Sequence, residues 1–109
     1  MAQGFGDELG SLLKQATEMQ RRMEAMQREL AERVVEGSAG GGAVKVVVTG
    51  HMELQSVTID PAAVDPDDVP GLEDLVTAAV RQALDSARRL KEQETQRITG
   101  GINMPGLGF

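Results

Sequence analysis

Apolar residues fall at Leu9, Leu12, Ala16, Met19, Met23, Met26 and Leu30, in steps that alternate between three and four. Sustained over three heptads, that spacing predicts a helix from Asp7 to Arg33 carrying an apolar seam of the coiled-coil kind. The segment has no Pro, a single Gly (Gly10) and a single β-branched residue (Thr17), which favours helix as well. Such a helix runs about 40 Å, longer than a compact domain of this size is wide. Part of the seam must therefore face something other than the chain's own sheet.

The period then changes. Val34-Val35-Glu36-Gly37 reads as a strand, Ser38 to Gly42 as a loose glycine hairpin, and Ala43 to Thr49 as a second strand dominated by Val44, Val46, Val47 and Val48. Gly50 to Glu53 is a turn, and Leu54 to Asp60 alternates apolar Val57 and Ile59 with Ser56 and Thr58, as a half-buried strand does. Asp60-Pro61 ends the sheet. Asp65 to Pro70 supplies N-cap candidates and a proline suited to a first helical turn. A second helix follows, its stripe of Leu72, Val76, Ala79, Val80, Ala83, Ala87 and Leu90 fading near Ile98. The expected fold class is α+β: an α-β-β-β-α protomer with long terminal helices flanking a three-stranded antiparallel sheet. Residues 1–98 form its single domain, and Thr99 to Phe109, rich in Gly with one Pro, reads as a flexible tail.

Composition sharpens this picture. Of 109 residues 40% are hydrophobic but only 2% aromatic, with no Trp or Tyr, so the core must be built from Leu, Val, Ile, Ala and Met. A core that thin in so small a chain gains stability by being shared, and a homodimer is expected. The absence of Cys removes disulfides, thiolate metal sites and cysteine nucleophiles. Met1 to Asp7 has no basic leader region, and no apolar run approaches the roughly 18 residues of a membrane span. A cytosolic location away from membranes is the expectation.

The net charge is −6, but its distribution is uneven. Asp60, Asp65, Asp67, Asp68, Glu73 and Asp74 lie together without a base, and the rest of the chain carries 11 acids against 11 bases. Basic stripes on the helices therefore remain available, since local arrangement governs the field at a site. Lys14, Arg21 and Arg28 recur every seven residues opposite the seam, with Arg22 beside them. Their side chains are spaced to reach successive backbone phosphates. The second helix adds Arg81, Arg88 and Arg89, with Lys91 nearby, Arg81 and Arg88 again seven apart. Glu18, Glu24 and Glu29 stand within reach of the first stripe, so a purely solvating, ion-paired surface is the bland alternative.

Catalysis finds little to work with. One His, no Cys, no Tyr and scattered Ser assemble no nucleophile and base set, and no enzyme activity is expected. His51 and Glu53 fall short of the three protein ligands a metal site needs. The acidic segment lacks the central Gly and terminal Glu of an EF-hand loop, so helix capping and solubility account for it. Gly37 to Gly42 leads into a strand, not into the Gly-Lys-Ser/Thr helix start of a phosphate loop. No cofactor or metal is expected.

Several segments, in order, resemble the YbaB/EbfC family of small bacterial nucleoid-associated proteins. They are Leu12-Leu13-Lys14-Gln15-Ala16 with Met19-Gln20 and Met23, the Gly37 to Gly42 hairpin before Val44-Lys45-Val46, Ile59-Asp60-Pro61, Leu72 to Val76 with Ala78-Ala79, and Gly100 to Gly106. The resemblance implies a homodimer with projecting helical arms that binds double-stranded DNA with little sequence preference, in the nucleoid. Carried over to this chain, it implies contacts through Lys14, Arg21, Arg22 and Arg28, then Arg81, Arg88 and Arg89. The competing expectation is a protein-interaction module whose seam docks a replication or recombination factor without touching DNA. Charge reversal at Arg21 and Arg28 separates the two.

Overall fold

A computed structural model describes residues 2–100. Helix α1 (Ala2–Glu32) leads through a single residue into β1 (Val34–Ala39), which is followed by β2 (Val44–Thr49), β3 (Leu54–Ile59) and helix α2 (Val69–Thr99). The strands form one antiparallel sheet in the order β1-β2-β3, with Gly37 opposite Val46 and Val44 opposite Ile59. The α-β-β-β-α order expected from the hydrophobic pattern is the one observed.

The core lies between one face of this sheet and α2. Val44, Val46 and Val48, on alternate positions of β2, meet Ala79, Ala83 and Ala87, one helical turn apart on α2, and all six are fully buried. Alanine at those positions removes the side-chain bulk that would hold helix and sheet apart. The approach is so close that a Cβ on Gly37 would land on the carbonyl oxygen of Ala79 and 2.5 Å from the nitrogen of Ala83. This packing corrects the expected end of β1. Gly37 is in the strand as expected, but Ser38 and Ala39 do not open a loop; pairing continues to Ala39, because the close packing of α2 on this edge overrides weak local strand propensity. Only Gly40–Gly42 form the turn, each with positive φ, which glycine adopts without a Cβ clash.

Local chemistry fixes the ends of α2. The Asp68 side chain accepts from the Gly71 N–H at 3.1 Å and Pro70 occupies the first turn, while Gly100 closes the helix at φ +67° with its N–H on the Gln96 carbonyl. Thr99 is thus the last residue of α2. The flexible tail expected from this point falls, beyond Gly100, outside the described residues.

Helix α1 is anchored only at its C-terminal end. Met26 and Leu30 are buried, Met23 is half-buried, and the Leu30 carbonyl and Cα crowd against Gly50. The His51 ring donates from Nε2 to the Gln27 carbonyl at 2.6 Å. Farther out the same seam faces solvent, with Leu9, Leu12 and Met19 exposed by 49, 61 and 41%. The protomer is accordingly elongated, measuring 80 × 26 × 16 Å.

Candidate nucleic-acid interface

Seven residues of an α-helix turn through about 20° less than two full turns, so Lys14, Arg21 and Arg28 form a nearly straight stripe about 21 Å long. All three are exposed, on the side of α1 turned away from its buried Met26 and Leu30. None of them is in an ion pair among the described residues. Arg22 stands apart from the stripe: it lines the groove between α1 and the end of α2, next to Ile98, and pairs with Glu18 at 3.8 Å. Lys14 borders the same groove, so it belongs to both surfaces.

The α2 set lies elsewhere. Arg81, Arg88 and Arg89 are exposed on the back of α2, opposite the alanines that face the sheet. Arg88 is held by Asp85 at 2.9 Å. No ion pair or hydrogen bond among the described residues joins this set to the α1 stripe. The seven candidate side chains therefore divide among the outer stripe of α1, the α1–α2 groove and the back of α2.

A third cationic group was not among the residues singled out from the sequence. Glu94, with its side chain 13% exposed, lies between Arg33 at the end of α1 and Arg97 in the last turn of α2. Arg33 Nη1 donates to Oε1 at 3.3 Å; Arg97 Nη2 approaches Oε2 to 2.6 Å but off the hydrogen-bonding direction. Arg97 stands three residues after Glu94, a spacing readable as a helix-surface pair, whereas Arg33 is 61 residues away in sequence.

Three carboxylates of the acidic segment between β3 and α2 bond to the backbone. Asp60 accepts from Ala62 N–H at 3.0 Å, Asp65 from Asp67 N–H at 2.9 Å, and Asp68 caps α2. Among the described residues no group of three or more His, Cys, Asp or Glu is placed to hold a metal ion, and no helix is long and apolar enough to cross a membrane. What the surface offers is a projecting helix with a row of exposed cations, suited to a polyanion with regularly spaced charges.

Comparison with known proteins gives the family and a matching fold. The profile of the YbaB/EbfC DNA-binding family matches residues 5–102. A nucleoid-associated protein of Acetivibrio thermocellus is 52% identical over 105 residues, covering 95% of this chain and 93% of its own. A nucleoid-associated protein of Caldanaerobacter subterraneus subsp. tengcongensis is 50% identical over 102 residues, covering 94% and 92%. The crystal structure of an uncharacterized Helicobacter pylori protein shares the fold, with a TM-score of 0.70 at 20% identity over 84% of this chain and 94% of that one.

Proposed function

Because the chain belongs to the YbaB/EbfC DNA-binding family, we propose that it binds double-stranded DNA as a homodimer in the bacterial nucleoid, gripping the phosphate backbone with the basic stripe of α1. The observation that carries this reading is the exposed row of Lys14, Arg21 and Arg28 on a helix that projects from the sheet. Neutralising phosphates with Lys and Arg releases condensed counterions, which supplies affinity without reading base edges. Sequence preference is accordingly weak. Arg22 extends the stripe toward the groove, and Arg81, Arg88 and Arg89 offer a secondary contact from the second helix.

Dimerisation is supported by the apolar surface that a lone protomer leaves in water. Leu54 and Val57 of β3, 58 and 41% exposed, lie beyond the reach of α2, which covers β1 and β2. Leu9, Leu12 and Leu13 add a second exposed patch on α1. A second copy covers both kinds of surface and doubles the number of basic arms.

The test is fluorescence anisotropy of a labelled duplex titrated at several salt concentrations, with wild type and the Arg21→Glu/Arg28→Glu variant. Binding that weakens steeply with salt and disappears in the variant supports the reading. Absence of binding at low salt overturns it in favour of a helix-docking partner protein.

A further inference from the structure

The groove between α1 and the end of α2 has cations on both walls, with Glu18 and Glu29 of α1 beside them. Arg22 from α1 and Arg97 from α2 line it together around Ile98, and Lys14 borders its continuation along the arm. Exposed positive charge thus passes from the arm onto the last turn of α2 at Arg97, and Arg33 joins it on the other side of Glu94.

The carboxylate that links Arg33 and Arg97 is mostly buried, whereas the two guanidiniums are 52 and 71% exposed. Within the Arg33–Glu94–Arg97 triad one negative charge stands between two positive ones and leaves a net positive charge, while Arg22 across the groove is paired with Glu18. Each guanidinium carries five N–H donors in a rigid fork, and the shared carboxylate engages only part of them. A fork already oriented by a buried partner loses less freedom when it takes up an oxyanion.

We propose that Arg33 and Arg97, oriented by Glu94, form with Arg22 a phosphate-binding cluster at the base of the arm, which takes the backbone of the same nucleic acid that the α1 stripe holds. The inference rests on the DNA-binding reading above and adds a site to it. Arg33 and Arg97 bind the phosphodiester; Glu94 is a positioning residue whose carboxylate pairs with the two arginines.

The experiment measures duplex binding by the full-length protein across a salt series. Arg97→Gln changes a largely exposed side chain and is expected to weaken binding several-fold. The slope of log affinity against log salt should fall by about 0.9 for each phosphate that is no longer neutralised. Lys45→Gln removes an equal charge from the exposed outer face of the sheet and should leave that slope unchanged. Glu94→Gln raises the net positive charge, so attraction by charge alone would tighten binding; loss of the oriented forks weakens it, and weakening is the expected result. Thermal unfolding of each variant separates these effects from loss of fold. Wild-type affinity and slope in Arg97→Gln, with binding abolished in Arg21→Glu/Arg28→Glu, would overturn the cluster and leave the arm in place. Failure of the wild-type protein to bind duplex would overturn both.

Discussion

The backbone N–H of Ser38 donates to the side-chain oxygen of Gln82 at 2.6 Å, which closes the outer edge of β1 with a residue from α2. Edge strands present unpaired N–H and C=O groups that invite pairing with other chains. Gln82→Leu removes the acceptor but leaves the helix intact. A decrease in stability of about 1 kcal/mol is expected, because water replaces part of the bond at this exposed edge. Urea denaturation with an unchanged m-value measures it.

Gly37 makes the tightest approach between sheet and helix, and its neighbours there are backbone atoms of Ala79 and Ala83, which cannot rotate away. Gly37→Val must push α2 off the sheet and is expected to cost more than about 3 kcal/mol, the range of severe core overpacking. Circular dichroism during thermal unfolding would show a large drop in melting temperature or no cooperative transition. A variant that melts like wild type would mean that the helix rides higher on the sheet than described.

Met52 is held at φ +65° in the turn between β2 and β3, where its N–H donates to the Thr49 carbonyl at 2.9 Å. A left-handed conformation costs a residue with a Cβ about 1 kcal/mol or more relative to glycine. The side chain is 38% exposed, so removing it sacrifices little packing. Met52→Gly is expected to stabilise the protein by about 0.5–1 kcal/mol, read as an upward shift of the urea midpoint.

Leu54→Asp combined with Val57→Asp places charges on the part of β3 that α2 leaves open. The expected result is a shift from dimer to monomer in analytical ultracentrifugation, with helical content retained, because neither residue belongs to the buried cluster on α2. A persistent dimer would place the self-contact on α1 instead.

Both helices were legible in the sequence because their apolar spacing is long and regular, and Asp68 and Pro70 mark the start of α2 by chemistry that acts within one turn; its cap at Gly100 was not read, because Thr99 and Gly100 share the glycine-rich composition of the expected tail. The end of β1 was not legible. Ser38 and Ala39, just before three glycines, look like loop residues, and what keeps this end of the strand in place is Ala79, Gln82 and Ala83, about 40 positions later. The seam of α1 showed its period but not its partner: Met26 and Leu30 find the protomer's own base, whereas Leu9 and Leu12 find none in it. The stripe of Lys14, Arg21 and Arg28 followed from helical geometry alone. Arg33 and Arg97 meet only because α1 and α2 lie side by side at one end of the molecule, which no local pattern encodes.

Arg33 is the sole residue between α1 and β1, and its carbonyl receives the N–H of Gly50 at 3.0 Å. The connection has no slack. A 31-residue helix about 46 Å long, joined in this way to a strand of six residues and buried only near Met26 and Leu30, is a lever whose fulcrum is that packed base. A sideways load at the tip reaches that base as a larger force, multiplied by the ratio of the free arm to the packed length. The protomer therefore resists a bending load through this packing, and mechanical failure would begin there.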